Sequence, residues 1–357
     1  QLGSGRGRGR STTAQPCAIR FRRGAIDVAP RARPHPNASG ILTGVRPTPP
    51  APEVLDWLQS GDLAVQFQVT RDVLGHPAAA LQARIAHEGA GAALLAARRP
   101  DGHWGEGFYQ PKWTSSHYTL LELAELGLDP GHPLPRESVA LILATGKGPD
   151  GGLDPTRELR RSDACVNGMG LRYAAYFGAP TTDLASIVDL LLGEQMSDGG
   201  FNCRRHRSGA KHGSVHTSVC VMEGFTTYAG SGHQHPLDEV VTATAGIVDF
   251  FLSHQLYRSH RTRAVMNPEF TRLHHPPRWH FDVLRGLQAL AEADVPYDDR
   301  MAEGLQLLRD RRRADGRWVA NRSYPGATHV PLPRAGQPNR WVTLRALRVL
   351  ATYPQES

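Results

Sequence analysis

Four Asp-Gly turns, each set between two apolar segments, constrain this chain more than any other feature of it. They are Pro100-Asp-Gly-His-Trp104, Pro149-Asp-Gly-Gly-Leu153, Ser197-Asp-Gly-Gly-Phe201 and Ala314-Asp-Gly-Arg-Trp318. Each unit reads as a helix, a turn carrying an apolar or aromatic residue, and a second helix, the pattern of a helical repeat. Between the third and fourth turns, His254 to Arg278 occupies the corresponding place without the Asp-Gly signal, as a divergent unit.

The second helices are expected to begin near Trp113, Asp163, His216, Arg278 and Arg340, and their sequences are apolar on most faces. Helices of that kind are buried all round. The segments before them, such as Ser186–Glu194 and Met301–Arg312, are more one-sided and belong outside. With Leu55–Leu74 and Ala78–Arg98 as an opening pair, five or six hairpins are present. That is enough for an all-α fold, an (α/α)5-6 toroid in which inner helices are wrapped by outer ones. Closure is expected between the opening helices and Arg340–Tyr353.

The net charge of +7 over 357 residues invites a nucleic-acid reading. Residues 1–50, however, hold nine Arg and one Asp, which leaves the rest of the chain close to neutral. This Arg/Gly/Pro-rich tail lacks an amphipathic period and is expected to be disordered, with the toroid domain spanning 51–357. No nucleic-acid partner is expected. No apolar run approaches the roughly 20 residues of a transmembrane span. Four unevenly spaced cysteines (Cys17, Cys165, Cys203, Cys220) and the lack of a secretory leader suggest reduced thiols and a cytoplasmic setting.

Asp163, Cys165 and His216 offer a carboxylate, a thiolate and an imidazole at the starts of two successive helices. Together they would neutralise Zn2+ and leave a fourth position open, in the style of a catalytic site. Two residues apart, Asp163 and Cys165 can converge only where the chain is still entering a helix. The alternative stays open: a helix N-cap, a buried thiol, and a histidine that satisfies a backbone group. Lys112, Trp113, His117, Asp282, Arg340 and Trp341 share the pole at which inner helices begin, while Cys203, His206 and His212 form a looser rival cluster.

The segment Leu190-Leu-Leu-Gly-Glu-Gln195-Met-Ser-Asp-Gly199-Gly-Phe201 resembles the Gln/aromatic repeat motif of the α/α-toroid superfamily of protein prenyltransferase β subunits and squalene-hopene-type terpene cyclases. Within that superfamily, Arg157-x-x-Arg160-x-x-Asp163-x-Cys165, then Gly199-Gly200, a basic loop and His216-Thr217, resemble the prenyltransferase branch. The Asp-x-Asp-Asp acid of the cyclase branch is lacking, and Asp298-Asp299 lies in a connection. The resemblance implies a zinc-dependent transferase acting on an isoprenoid diphosphate, with a thiol or other nucleophile as acceptor and room for an additional Mg2+. It implies Asp163, Cys165 and His216 as metal ligands, and Arg157 and Arg160 facing the diphosphate. Arg278 and His280 are further candidates for neutralising the leaving group. Val166 and Val215 stand where the family has aromatics, and nothing here corresponds to a partner subunit. The other readings are a cyclase-like enzyme without zinc chemistry and a non-catalytic lipid- or protein-binding toroid.

Overall fold

The computed structural model describes residues 50–156 and 161–354. Six inner helices follow one another around a ring: α2 (Leu63–Gln68, continued by a π-helical turn over Val69–Val73), α5 (Ser116–Leu126), α7 (Ala164–Tyr176), α10 (Val215–Gly230), α12 (Val283–Glu292) and α14 (Arg340–Thr352). Their outer partners are α1 (Pro52–Gln59), α4 (Gly89–Ala96), α6 (Pro133–Thr145), α8 (Thr181–Glu194), α11 (Leu237–Ser253) and α13 (Ala302–Asp310). Two short helices, α3 (Ala79–Arg84) and α9 (Arg205–Ser208), lie in connections. The described residues contain isolated β-bridges and no β-strand. None of their helices is long and apolar enough to cross a membrane.

The repeated turn is a repeated set of hydrogen bonds. Asp101, Asp150, Asp198 and Asp315 each accept the N–H two residues on through Oδ1, at 3.0, 3.2, 3.1 and 3.1 Å. The glycine between adopts φ +87, +83, +81 and +77°, which a Cβ would oppose. The next apolar residue then plugs the gap between outer and inner helix. Trp104, Leu153, Phe201 and Trp318 are each fully buried. Their backbone N–H groups donate to a side chain near the start of the following inner helix: Ser116 Oγ, Asn167 Oδ1, Ser218 Oγ and Thr343 Oγ1, at 2.7 to 3.0 Å. Gln195 Nε2 donates to the carbonyls of Gly199 and Ala243, at 2.9 and 2.8 Å, so the glutamine of the repeat motif ties its outer helix to the turn.

Two sequence expectations are corrected. Leu55–Leu74 is not one helix: the chain turns at Ser60–Asp62, where the Asp62 carboxylate caps α2 through Ala64 N–H at 2.9 Å. This segment alone therefore supplies an outer and an inner helix, and the ring has six pairs. The inner helix expected near Arg278 begins at Val283, because the buried Asp282 carboxylate accepts the Arg285 N–H at 2.8 Å and stops the helix there.

Closure is as expected. Val54, Leu58, Val65 and Val69 pack with Leu344 of α14, and Arg340 Nε donates to the Trp57 carbonyl at 2.9 Å. A strap over residues 321–338 crosses the pole at which inner helices begin. It is held by Asn321 N–H to the Leu273 carbonyl (2.7 Å), Trp113 Nε1–H to the Pro325 carbonyl (2.5 Å) and His329 Nε2 to the Thr114 carbonyl (2.9 Å).

Candidate functional site

The ring encloses a cavity of about 610 Å³ whose lining is part apolar and part charged. Val65, Ala90, Ala93, Ala124, Leu126 and Trp341, with Val330–Pro333 of the strap, form the apolar part. Among these apolar residues the inner helices also carry charges: Glu122, Glu125, Arg172, Glu223 and Arg345 line the same cavity, and Arg285 stands behind Glu223. Glu223 accepts Arg285 Nε and Nη2, both at 2.8 Å, and Arg172 Nη1 at 3.0 Å. Arg172 also reaches Glu125 at 3.2 Å. Those cations hold the Glu223 carboxyl at about 2 against the effect of its burial. Arg285 further donates to the carbonyls of Arg278 and His280, at 2.8 and 2.7 Å, and so shapes the turn before α12, where Arg278 has φ +56°.

Two of these charged groups are not neutralised in the same way. Burial raises the Glu122 carboxyl above the usual carboxylate range, although Arg278 Nη1 lies 3.1 Å away. Arg345, 8% exposed, has no carboxylate partner among the described residues. Its Nε donates to Gln288 Oε1 at 2.5 Å and its Nη1 to the His274 carbonyl at 3.4 Å. Burial outweighs the more distant Asp282, Glu125 and Glu223 carboxylates and lowers its pKa, whereas around Arg172 and Arg285 the carboxylates outweigh burial and raise it. A buried guanidinium without an anion is costly unless something else completes it.

Asp163, Cys165, His216, Arg278 and His280 lie at or just before the starts of inner helices α7, α10 and α12. Arg157 and Arg160 fall outside the described residues. Asp163 is the N-cap residue of α7 and Cys165 its second helical residue, so the two do sit where the chain enters the helix. The Asp163 carboxylate is ion-paired with Arg207 of the basic loop, while burial keeps its pKa raised. The Cys165 N–H donates to Cys203 Sγ at 3.3 Å. Burial and the neighbouring Cys203 push the Cys165 thiol well up; hydrogen bonding to Cys165 and Thr217 pulls Cys203 down. His280 is stacked against Tyr324 and Trp279, with ring centroids 3.4 and 3.8 Å apart, and burial lowers it to about 3. Arg278 is buried against Glu122 and the face of Trp113. His280 is thus a neutral imidazole whose Nδ1 is buried without a hydrogen-bond partner, and Arg278 is paired through Nη1 while its Nη2 has none. Of the rival cluster, Cys203 joins Cys165, whereas His206 turns away to Glu194 at 2.7 Å.

His216 decides how this donor set fits zinc. Its Nδ1 accepts the backbone N–H of Phe281 at 2.8 Å, so the proton of the neutral ring belongs on Nε2 and neither nitrogen offers a lone pair. Zinc-bound histidines donate through their other ring nitrogen, the reverse arrangement. With Asp163 turned to Arg207 as well, no cluster of three or more such donors suited to a metal forms among the described residues. The zinc set Asp163, Cys165 and His216 does not fit the arrangement of its own side chains.

No family model matches the chain, and no curated protein matches it. Solved structures that it matches include the type II terpene cyclase MstE from Scytonema. The apo form shows 15% identity and a TM-score of 0.31, covering 73% of this chain and 95% of that one. A variant with merosterolic acid A, its product, gives 15% and 0.32 over 75% and 83%. Another, with the substrate geranylgeranyl dihydroxybenzoate, gives 14% and 0.32 over 84% and 97%. At such identities the likeness concerns the fold alone.

The sequence reading missed the charged lining. Its signal is a charge inside five of the six inner helices: Glu122, Arg172, Glu223, Arg285 and Arg345. A helix buried all round has no solvent face for such a residue, which must then point at a partner or a cavity.

Proposed function

We propose that the ring binds an amphiphilic anion, an apolar body ending in a phosphate or carboxylate, of which an isoprenoid diphosphate is the case that the sequence motifs also favour. The observation that carries this reading is Arg345, a buried guanidinium without an ion-paired carboxylate, lining the same cavity as the apolar residues. An anionic end against Arg345 would give this buried guanidinium the ion-pair partner it lacks, at a desolvated position where charge-assisted bonds are strong. The hydrocarbon part is accommodated by Val65, Ala93, Leu126, Leu332 and Trp341. The volume lies in the range of sites for small organic ligands, roughly 300 to 1,000 Å³. Zinc-dependent prenyl transfer receives no support from the His216 geometry, and no reaction step is assigned to a metal.

Titration calorimetry with farnesyl diphosphate, farnesol and inorganic diphosphate tests the reading. Farnesyl diphosphate should bind tighter than either part of it, and Arg345→Met should weaken it by about tenfold or more while leaving farnesol unchanged. Failure of farnesyl diphosphate to bind, or equal binding by Arg345→Met, would refute it.

A further inference from the structure

The basic loop between α8 and α10 carries a second cysteine to the mouth of the ring. Cys203 Sγ accepts the backbone N–H of Cys165 at 3.3 Å and lies 3.5 Å from Thr217 Oγ1. It thus bridges the first turns of two adjacent inner helices, each of more than twelve residues, whose N-terminal ends favour negative charge. Both residues are half-buried, whereas Cys220 is sealed in the core. With the zinc set not fitting its own side chains, the binding role proposed above uses neither of them.

We propose that Cys165 and Cys203 are a redox pair, closed to a disulfide by peroxide and opened by thiol reductants. The Cys203 thiolate is the attacking group: its sulfur takes an oxygen from hydrogen peroxide, giving a sulfenic acid and releasing hydroxide. The Cys165 thiol then displaces that oxygen. Its sulfur bonds to Cys203 Sγ, its proton leaves with the hydroxyl as water, and two electrons pass from the thiol pair to the peroxide. The bond would pin the loop to the first turn of α7, beside the Arg207–Asp163 ion pair that already holds it. Thiol reductants regenerate both cysteines by exchange.

The test is hydrogen peroxide treatment of the folded full chain, alkylation of remaining thiols, and peptide mapping by mass spectrometry. A cross-linked peptide joining Cys165 to Cys203, lighter than the two free peptides by about 2 Da and split by dithiothreitol, is expected. Cys165→Ser should stop at a Cys203 sulfenic acid that dimedone captures; Cys203→Ser should leave Cys165 alkylatable. The idea is overturned if Cys203 stays alkylatable in the treated wild-type chain, if Cys165 is linked to another cysteine instead, or if Cys203→Ser is oxidised at Cys165 as fast as wild type.

Discussion

The backbone N–H of Phe281 points at Nδ1 of His216 from 2.8 Å, and this one hydrogen bond between neighbouring inner-helix starts fixes the protonation of the imidazole. The ring is neutral, since burial lowers it to about 4, and its proton sits on Nε2. Purified protein should therefore carry far less than one zinc per chain, and Cys165→Ala should leave that amount unchanged. Elemental analysis of both checks this. Zinc near one per chain, lost in Cys165→Ala and in His216→Ala alike, would mean that the ring turns over to bind metal.

Burial of neutral imidazoles also makes stability depend on pH. His117 and His280 are lowered to about 3 and His216 to about 4, in each case chiefly by desolvation. Below about pH 6.5 the unfolded chain takes up these protons while the folded chain does not, so stability falls from there toward pH 4 and 3. Glu223 adds a lower step. Its folded carboxyl titrates near 2, so the stability it contributes is present above about pH 4.5 and lost between there and 2. Urea midpoints measured across pH 3 to 8 should follow this fall. His117→Phe, in a pocket of Phe108, Tyr118 and Tyr173 rings, should flatten the upper part of it.

How much of this was legible in the sequence depends on whether local or distant contacts decide it. The Asp-Gly turns and the apolar residue after them are local and repeat, so the ring and its closure could be read before any coordinates. The start of α12 could not, because it depends on buried Asp282 accepting the distant His274 N–H as well as its own helix. The pole carrying Asp163, Cys165 and His216 was also legible, since N-terminal ends of parallel inner helices must meet there. Its chemistry was not. Which nitrogen of His216 is free, and whether Asp163 faces a metal or Arg207, are set by residues 65 and 44 positions away.

Helices α7 and α10 approach more closely than ordinary side chains allow. A Cβ on Gly168 would lie 2.5 Å from the Cys220 carbonyl oxygen, which is backbone and cannot swing aside. Gly168→Ala should therefore force the helices apart and destabilise the chain by about 1 to 3 kcal/mol, against the usual gain from alanine in a helix. Gly230→Ala, near the end of α10, meets nothing within 4 Å and serves as the control. Equal melting temperatures for the two variants would contradict the close approach.

The side-chain oxygen that receives the N–H of each repeat's plug residue should matter as much as the plug. Ser218→Ala leaves the buried Phe201 N–H without its acceptor at 2.9 Å, a loss on the order of 1 to 3 kcal/mol for an unsatisfied buried donor. Ser218→Thr keeps the acceptor, as Thr343 does in the last repeat, and should recover part of that loss in chemical denaturation.

Arg285 and Arg345 make opposite predictions although both are buried guanidinium groups on inner helices. Arg285 is bidentate to Glu223 and holds two carbonyls of the turn before α12. Arg285→Met leaves Glu223 with Arg172 alone and the turn carbonyls without donors, so unfolding should become easier by about 3 to 5 kcal/mol. Arg345 has no ion-paired carboxylate to strand, only the longer-range attraction of Asp282, Glu125 and Glu223, and its removal relieves a desolvated charge. Arg345→Met should therefore unfold at the wild-type denaturant midpoint or above it, while losing affinity for farnesyl diphosphate. A variant that is at once more stable and unable to bind identifies a residue kept for its ligand. If Arg345→Met instead loses stability as heavily as Arg285→Met, Arg345 is a structural cation, and the cavity's anion must be sought elsewhere on the charged lining.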